Sequence, residues 1–283
     1  MPELPEVEIA ARNLRRWTKG RAIDAVEADR GARYVFRPAS PAAFGRAVAG
    51  ARFGPIRRIG KQLLLSLEKG GEPLGLLAHL GMTGKWLLRD SRGRAGASGA
   101  QSPRFSRARF RLDDGSVLHF CDMRLFGRLR VVPGGRFEDV PEVAALGPDP
   151  LERGIDVARL HGALLRSRLP VKVRIMDQAL LPGVGNIQAS EALFRARIDP
   201  RRRSASLSRR EAATLAAAIL ASVRESIARE EGPEITYVEE PGSENPFLVY
   251  GRAGERCPRC RRAAIARVVQ AQRSTFHCPR CQR

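Results

Sequence analysis

The pair Pro2-Glu3 places an amine and a carboxylate at the start of the chain. Removal of Met1 would leave Pro2 with a free secondary amine, a nucleophile that no internal residue supplies. An α-amino group has an ordinary pKa of about 7.7–8.0, so part of it is unprotonated at neutral pH and attacks a sugar aldehyde carbon to give a Schiff base. Glu3 beside it could donate or accept the proton. A small second residue also simply permits removal of Met1, so the rest of the sequence must decide.

Four of the five cysteines lie near the C-terminal end with the spacing of a metal site: Cys257, Cys260, Cys278 and Cys281. Two residues separate the members of each pair, which lets two thiolates bind one tetrahedral zinc ion. Disulfide pairing is the alternative, but we expect an intracellular chain, in which disulfides are rare. We therefore predict one structural Zn²⁺ with four protein ligands and no part in catalysis. Cys121 lies alone in an apolar strand, and we expect it in the core.

The segment between the two cysteine pairs predicts a basic β-hairpin. Residues 267–269 and 274–277 have the composition of two short strands, which places Gln270 to Arg273 at the tip. Residues 252–283 contain nine arginines and one acidic residue, Glu255. A zinc hairpin of this charge indicates a contact with nucleic acid.

Two glycine-containing segments could also serve a nucleic-acid site. Gly183-Val184-Gly185 precedes Asn186 and a predicted helix, so its backbone could approach a phosphate closely, although an ordinary turn between helices has the same pattern. Met82 lies between two glycines at the end of a strand. An exposed Met, with Phe126 and Arg124 nearby, could wedge a base step open, whereas each of these apolar residues taken singly is more often core.

Composition and charge favour a polyanionic partner. The 283 residues include 50 Lys and Arg against 30 Asp and Glu, a net charge of +20. A field of this sign and size favours nucleic acid, although the excess of arginine over the five lysines could also reflect genome composition. No stretch approaches the ~20 apolar residues of a membrane span, and acidic residues precede any apolar run at the start, unlike a signal peptide. We expect an intracellular protein.

The sequence patterns predict two regions of different secondary structure that must position these residues. Residues 4–18 have apolar residues at helical spacing with acidic residues in the first turn, which predicts a helix directly after Pro2-Glu3. Residues 52–133 indicate antiparallel strands, among them 62–67, 74–80, 108–112 and 117–121, with a hairpin turn at Asp114-Gly115. The segment 90–107 has no periodicity and is predicted to be a surface loop.

The second half of the chain is predicted to be helical. Residues 146–150 contain two prolines and are typical of a linker, after which helical patterns follow. One helix is predicted over 187–197, and another begins at Ser208, where Ser208 and Glu211 have the spacing of a capping box. These segments would hold Lys172 and Asn186 on or beside helices.

The chain resembles the formamidopyrimidine-DNA glycosylase family of base-excision repair enzymes. The resemblance spans residues 2–281, and the shared order and distances of its motifs make it specific. The matching stretches are PELPEVE, GKQLLL around Lys61, HLGMTG, RLFG, MDQALLPGVGNIQASEALF and QRSTF.

The resemblance implies an α+β fold and three domains. These are an N-terminal antiparallel β-sandwich domain with flanking helices (1–145), a helix-two-turns-helix DNA-binding domain (146–250) and a β-hairpin zinc finger (251–283), with DNA held in the cleft. It also implies a bifunctional enzyme, a glycosylase and abasic-site lyase that cleaves the strand by β,δ-elimination.

The resemblance assigns a role to each matching residue. Pro2 would attack C1′ of a damaged nucleotide, Glu3 would protonate the ring oxygen, and Lys61 would contact the phosphates of the lesion and assist catalysis. The other residues would contact DNA: Asn186 and Arg273 at the flanking phosphates, Met82, Arg124 and Phe126 in the vacated stack, and Lys172 as a further basic position.

The sequence departs from the family pattern where the base would be recognised. The loop that carries Gly-Gly-Thr in typical members, and closes over 8-oxoguanine, is replaced by the acidic segment 231–240. The residues around Arg124 and Phe126 also differ from the usual Asp-Pro-Arg-Arg-Phe-Gly, and the zinc hairpin is one residue longer than the commonest spacing. The lesion that is preferred, the opposite base and the role of segment 90–107 therefore stay open.

Three hypotheses follow. The first is a glycosylase and lyase for oxidised purines such as formamidopyrimidines and 8-oxoguanine. The second is the endonuclease VIII-like branch, which prefers oxidised pyrimidines; Pro5, where that branch has Gly, and the retained Arg124 and Phe126 favour the first. The third is a noncatalytic damaged-DNA binding protein, against which Pro2, Glu3 and Lys61 argue. We expect a monomer in the bacterial cytoplasm, associated with the nucleoid, that acts on double-stranded DNA and binds no membrane.

Overall fold

The computed structural model describes residues 2–89, 103–238, 240 and 242–283. These residues form two compact units. Unit 1 comprises Pro2, Glu6–Ala144 and Glu230–Tyr237, and unit 2 comprises Glu3–Pro5, Ala145–Arg229 and Val238–Arg283. In the described part of the chain, no helix is long and apolar enough to cross a membrane.

The first sheet of unit 1 consists of antiparallel hairpins in the order β2-β3-β4-β8. Its strands are β2 Arg52–Ile59, β3 Gln62–Lys69, β4 Glu72–His79 and β8 Arg128–Pro133. Ile59 pairs with Gln62, so Gly60-Lys61 is a two-residue hairpin turn, and Gly60 has the positive φ that this turn requires. The hairpin therefore places Lys61 at its tip.

The second sheet of unit 1 has the order β1-β6-β7-β5 and is also antiparallel. Its strands are β1 Ile23–Ala28, β5 Lys85–Arg89, β6 Ser106–Leu112 and β7 Val117–Cys121. Buried aromatic rings of Trp86, Phe110 and Phe120 pack at centroid distances of 5.0 to 5.7 Å. The predicted turn at Asp114-Gly115 is confirmed, with Gly115 at φ +82°.

Among the described residues of the N-terminal part, the α-helices are α1 Leu4–Thr18, α2 Pro41–Val48 and α3 Pro141–Ala144. Helix α1 is confirmed, and it buries Val7, Ala11 and Leu14. Strand β1 and helix α2 were not predicted. Gly45 lies inside α2, and a Cβ there would be 3.2 Å from the carbonyl oxygen of Val26 on β1, so close packing explains a glycine that weakens the helical pattern.

Unit 2 contains five helices in its described residues: α4 Pro150–Arg153, α5 Val157–Leu165, α6 Val171–Ile175, α7 Asn186–Ala196 and α8 Arg209–Glu230. One apolar core joins α5 to α8 and includes Leu160, Ile175, Leu193 and Ile219. The predicted capping box is confirmed, because the Ser208 hydroxyl accepts from the Glu211 N–H and the Glu211 carboxylate accepts from the Ser208 N–H.

Helix α7 differs from its prediction by one residue at each end. It begins at Asn186 and ends at Ala196, because Arg197 adopts a left-handed conformation with φ +61° and terminates the helix. The preceding helix α6 ends at Ile175, so residues 176–185, and not the glycines alone, connect the two helices.

The C-terminal hairpin consists of β9 Ala266–Gln270 and β10 Arg273–His277. Gln270 pairs with Arg273, and only Ala271 and Gln272 form the turn, both at positive φ. The predicted tip of Gln270 to Arg273 was therefore too long, and Arg273 is the first residue of β10. The predicted loop at 90–107 lies mostly outside the described residues, and its last two residues belong to β6.

The fold class is confirmed. The N-terminal part has two antiparallel sheets with flanking helices, and the C-terminal part has helices followed by a β-hairpin. The alternation of apolar residues and the turn glycines predicted strands in the first half of the chain and helices in the second. The resemblance implied their arrangement in this class.

Candidate active site and nucleic-acid interface

The carboxylate of Glu3 lies at the N-terminus of helix α7. It accepts hydrogen bonds from the backbone N–H groups of Gly185 (3.1 Å), Ile187 (2.9 Å) and Gln188 (3.0 Å). The side chain is 1 % exposed. A helix N-terminus has N–H groups without partners in the helix and carries a partial positive charge, so it suits an ionised carboxylate. Glu3 is thus oriented by fixed backbone donors, directly beside Pro2.

The glycine turn allows this approach. The N–H of Leu4 donates to the carbonyl of Gly183 at 3.0 Å. Gly183 has φ +89°, and a Cβ at this position would be 2.7 Å from the Cβ of Leu4. Any side chain here would push Leu4 away and, with it, the neighbouring Glu3.

Three N–H groups at the start of α7 are already bonded within the protein. The N–H groups of Gly185, Ile187 and Gln188 are occupied by the Glu3 carboxylate. The sequence could not show this, because the acceptor lies more than 180 positions earlier in the chain. The glycines therefore serve the candidate catalytic carboxylate.

Lys172 on α6 is fully buried and connects three segments of unit 2. Its ammonium donates to Asn186 Oδ1 (2.5 Å), Thr275 Oγ1 (2.7 Å) and the carbonyl of Ser274 (3.3 Å). Burial lowers the pKa of Lys172 to about 8, with the charge of Glu3 opposing this shift. The ammonium of Lys172 is enclosed by protein acceptors, so Lys172 is placed to orient its neighbours. Its predicted role at the DNA stays a prediction.

Asn186 and Arg273 meet at this network. The amide of Asn186 also donates to the carbonyl of Ser274 at 3.0 Å, and Arg273 precedes Ser274 on β10. Arg273 is exposed, whereas Asn186 is 8 % exposed. Unit 2 therefore brings together the two residues for which we predicted phosphate contacts. Lys172 connects Asn186 to β10, the strand that carries Arg273.

Lys61 lies at the tip of the β2–β3 hairpin in unit 1, close enough to His79 to affect its titration. Burial, together with the positive charges of Lys61 and Arg128, lowers the pKa of His79 to about 4. The Nδ1 atom of His79 accepts from the N–H of Gly81 at 3.0 Å, as a neutral imidazole does. His79 is thus uncharged at neutral pH beside Lys61. The sequence analysis did not identify this role, although His79 is the first residue of the HLGMTG motif.

The buried Asp122 joins the two segments that were predicted to fill the base stack. Its carboxylate accepts from the Thr83 hydroxyl (2.6 Å) and from the N–H groups of Arg124 (3.2 Å) and Gly127 (2.7 Å). Thr83 follows Met82, so one carboxylate fixes both segments. The sequence analysis did not identify Asp122 as a functional residue. Its position two residues before Arg124 could have indicated this role.

Glycine 81 shows how closely these segments approach. A Cβ on Gly81 would be 2.4 Å from the carbonyl carbon of Phe126. The ring of Phe126 is 48 % exposed, and the Arg124 guanidinium lies 5.0 Å from its centroid. Met82 is half-buried, whereas Met123 is 55 % exposed and was not predicted to take part. The arrangement offers an apolar side chain and a hydrogen-bonding guanidinium at one surface.

Within unit 1, arginines bind the acidic segment 231–237. Glu231 pairs with Arg12 on α1 at 3.0 Å, and Glu234 pairs with Arg89 on β5 at 2.6 Å. The charges of Glu231 and Glu234 are therefore each paired with a cation. These two carboxylates repel phosphate less than they would without their partners.

Tyr237 anchors the end of the same segment. Its ring is 5 % exposed, and its hydroxyl donates to the carbonyl of Gly84, the last residue of the motif that contains Met82. The amide of Asn13 donates to the carbonyl of Gly232 at 2.8 Å. The segment is thus fastened to α1 at one end and to the Met82 motif at the other.

The four C-terminal cysteines form a metal-binding cluster. Their Sγ atoms lie within 4.8 Å of one another, and the Cys257–Cys281 and Cys260–Cys278 sulfur pairs are each 3.8 Å apart. A disulfide requires about 2.05 Å between its sulfur atoms, so these sulfur pairs are too far apart to be disulfides. Their separation of 3.8 Å is that of thiolates at the corners of a Zn²⁺ tetrahedron. The cluster fits one structural zinc.

Comparisons with known proteins agree with this architecture. Family models match residues 1–129 (formamidopyrimidine-DNA glycosylase N-terminal domain), 146–237 (formamidopyrimidine-DNA glycosylase H2TH domain) and 254–283 (zinc finger found in FPG and IleRS). The formamidopyrimidine-DNA glycosylase of Rhodospirillum centenum is 38 % identical over 303 residues, covering 100 % of both chains. That of Acidothermus cellulolyticus is 39 % identical over 291 residues, covering 100 % of this chain and 97 % of the relative.

The chain belongs to the formamidopyrimidine-DNA glycosylase family.

Solved structures of this family have the same fold. The MutM (Fpg) protein of Thermus thermophilus superimposes with a TM-score of 0.79 at 36 % identity, covering 99 % of this chain and 98 % of that one. A complex of the Lactococcus lactis Fpg with DNA containing an abasic site superimposes with a TM-score of 0.83 at 25 % identity, covering 99 % of both chains. With the zinc-finger match, the cysteine cluster identifies one structural zinc in this family member.

The residues predicted for the formamidopyrimidine-DNA glycosylase site divide between the two units. Unit 1 carries Pro2, Lys61, Met82, Arg124 and Phe126. Unit 2 carries Glu3, Lys172, Asn186, Arg273 and the four cysteines. Within unit 2 the geometry brings Lys172, Asn186 and the Arg273 strand together, and within unit 1 it joins the Met82 segment to Arg124 and Phe126.

Proposed function

We propose that this chain is a bifunctional DNA glycosylase and abasic-site lyase that removes oxidised purines from double-stranded DNA in base-excision repair. The observation that carries the proposal is the Glu3 carboxylate, which is enclosed and held by three backbone N–H groups beside the residue that becomes the amino terminus. An acid or base of catalysis must be oriented before the reaction, and fixed backbone donors orient it at no cost during the reaction.

The chemistry at the sugar uses Pro2 and Glu3. The Pro2 amine forms a bond to C1′, the glycosidic C–N bond breaks, and the base leaves with a proton. Glu3 takes the proton that the Pro2 nitrogen loses as its bond to C1′ forms, and it passes this proton to the ring oxygen as the ring opens. A positively charged iminium is left between Pro2 and C1′. This iminium withdraws electrons, so the C2′ proton becomes acidic and is removed.

Strand cleavage follows from the same iminium. Loss of the C2′ proton expels the 3′ phosphate in a β-elimination, and a second proton loss expels the 5′ phosphate in a δ-elimination. Both leaving groups are phosphates that cationic groups stabilise, and we assign Lys61 to this role. Water releases Pro2 from the remaining sugar fragment, so the enzyme is regenerated.

The proposed DNA contacts fall into two groups. Asn186 and Arg273 would hold the phosphates beside the lesion, while Met82, Arg124 and Phe126 would fill the stack once the nucleotide has rotated out. The fork of donors on Arg124 suits hydrogen bonds to the orphaned base. Lys172 would orient Asn186 and the β10 strand. Cys257, Cys260, Cys278 and Cys281 would hold the zinc.

We also propose the domain limits and the setting of this activity. The catalytic domain would comprise residues 1–145, the helix-two-turns-helix domain 146–250, and the zinc finger 251–283. The protein would act as a monomer in the bacterial cytoplasm, associated with the nucleoid. Relatives in complexes with DNA that contains abasic sites or damaged bases support the choice of partner.

Covalent trapping tests the mechanism. Borohydride should reduce the iminium and link the protein to a duplex with an abasic site. One glycine added before Pro2 moves the free amine away, so trapping should be lost while DNA binding, measured by fluorescence anisotropy, is retained. Undiminished trapping by the extended protein would exclude Pro2 as the nucleophile, and absence of trapping by the native protein would favour a noncatalytic role.

A panel of lesions tests the substrate class. The single-turnover cleavage rate is measured for duplexes that contain 8-oxoguanine, a formamidopyrimidine or an oxidised pyrimidine, each opposite all four bases. We expect the purine lesions to be removed fastest. A preference for the pyrimidine lesions would place the chain with the endonuclease VIII-like branch.

A further inference from the structure

Arg58 on β2 is a fully buried arginine outside the residues that we assigned to the reaction. It is 0 % exposed and is among the largest side chains enclosed in the protein. Burial of a guanidinium is unfavourable unless its donors are satisfied, so the identity of its partners explains why it is there.

One partner is Glu8 on α1. The Nε atom of Arg58 donates to Glu8 Oε2 at 2.8 Å, and the other carboxylate oxygen accepts from Arg12 (3.1 Å) and Arg15 (3.4 Å). Burial raises the pKa of Glu8, but the hydrogen bond and charge of Arg58, the hydrogen bond of Arg12 and the charge of Arg15 outweigh it and hold the pKa below its ordinary value. Glu8 is therefore ionised at neutral pH, on the helix that follows Pro2-Glu3.

A second partner of Arg58 is the turn that carries Lys61. The Nη1 atom of Arg58 donates to the carbonyl of Gly60 at 3.1 Å. This carbonyl belongs to the peptide bond that joins Gly60 to Lys61, within a two-residue hairpin turn. A hydrogen bond from a buried, rigid guanidinium fixes the plane of that peptide and thereby the direction in which Lys61 leaves the backbone.

We propose that Glu8 and Arg58 form a positioning pair that holds the Lys61 turn in register with the helix that begins after the Pro2 nucleophile. This inference rests on the proposed function, because it assigns the pair an effect on the step that Lys61 assists. Replacement of a buried ion pair by apolar residues is often neutral or stabilising, so stability alone does not account for it. The guanidinium of Arg58 can donate to Glu8 on α1 and to the Gly60 carbonyl at the same time, which explains why an arginine occupies this position.

The test is a double-mutant cycle between Arg58 and Lys61. Arg58→Lys keeps the charge but loses the two-pronged geometry, so it should lower the single-turnover rate of base removal and of borohydride trapping by about 10-fold to 100-fold. The affinity for an uncleavable abasic duplex should change less than about threefold, since neither residue of the pair is placed on DNA. In the Lys61→Ala background, Arg58→Lys should cause no further loss of rate, since it acts through Lys61.

Controls separate this effect from a loss of structure. The thermal unfolding midpoint of each variant identifies misfolding, and Arg130→Lys provides a matched change at the surface pair of Arg130 and Glu142, where the rate should be unchanged. Glu8→Gln should reproduce the effect of Arg58→Lys. Multiplicative loss of rate in the double variant, or an unchanged rate in Arg58→Lys, would overturn the proposal. Absence of trapping by the native protein would instead overturn the proposed function.

Discussion

The carboxylate of Glu3 accepts a hydrogen bond from the backbone N–H of Ile187, a residue 184 positions further along the chain. Together with the N–H groups of Gly185 and Gln188, this bond makes Glu3 the cap of helix α7, whose own N-cap residue, Gly185, has no side chain to perform the task. Glu3, close to the start of the chain, therefore caps a helix of unit 2. A carboxylate placed for proton transfer has at the same time a structural role.

Glu3→Gln should lower the rate of base removal by about 10² to 10⁴, because an amide cannot transfer the proton. Glu191 on the same helix provides the matched control, since its buried carboxylate accepts from the N–H groups of Leu248, Val249 and Tyr250. Glu191→Gln should cost comparable stability with little effect on the chemical rate. Single-turnover cleavage and thermal unfolding measure the two effects, and equal losses of rate in both variants would contradict a catalytic role of Glu3.

Lys172→Met should weaken DNA binding without changing its dependence on salt. The substitution leaves Asn186 Oδ1 and Thr275 Oγ1 without their buried donor, which costs about 1–3 kcal/mol and disturbs the phosphate contact of Asn186. Lys172 itself releases no counterion if it touches no phosphate. Arg273→Ala, by contrast, should reduce the slope of log K against log salt by about 0.9. A similar reduction of the slope in Lys172→Met would mean that Lys172 contacts phosphate directly.

Removal of zinc should weaken DNA binding through the hairpin that carries Arg273. Without the metal, the four cysteines no longer hold the segments that flank β9 and β10. Wild-type protein and Arg273→Ala should then bind an abasic duplex equally weakly, although the wild-type protein binds more tightly when zinc is present. Metal analysis verifies the removal, and anisotropy measures the binding. A persistent advantage of the wild-type protein after zinc removal would exclude this coupling.

The N-terminus of α8 should show a dependence on acidic pH. A hydrogen bond from Arg202 and the capping box with Ser208 lower the pKa of Glu211 from 4.5 to about 2. Because the folded-state pKa is depressed, the stabilisation is fully present above about pH 4.5 and is lost as the pH falls towards 2. Glu211→Gln should therefore lower the thermal midpoint at neutral pH, and its difference from wild type should shrink across that range.

Ser208→Ala tests the same cap from the other side. Loss of the hydroxyl that accepts from the Glu211 N–H should lower the free energy of unfolding by about 0.5–2 kcal/mol, with DNA cleavage unchanged at permissive temperature. A pH-independent difference between wild type and Glu211→Gln would show that the carboxylate charge does not contribute to the cap.

Local pattern determined much of the fold. The strands β3, β4 and β7 were predicted because their apolar runs begin or end at glycine turns. The helices α1 and α8 were predicted because their apolar residues recur at helical spacing. Strand β1 was missed because its pairing with β6 is irregular between Ile23 and Ala25. Helix α2 was missed because Gly45 interrupts it, and only the approach to Val26 explains that glycine.

The sequence by itself determined the chemical groups of this protein, namely the terminal Pro2, the four thiolates and the arginine-rich hairpin, because residue type and short spacing suffice for these. Only the tertiary structure decided that the N–H groups at the start of α7 hold Glu3, that Lys172 is enclosed, and that Arg58 joins α1 to the Lys61 turn. The physical reason is that hydrogen-bond partners distant in sequence meet only after the apolar faces of their elements have packed, and no local pattern records which donor then faces which acceptor.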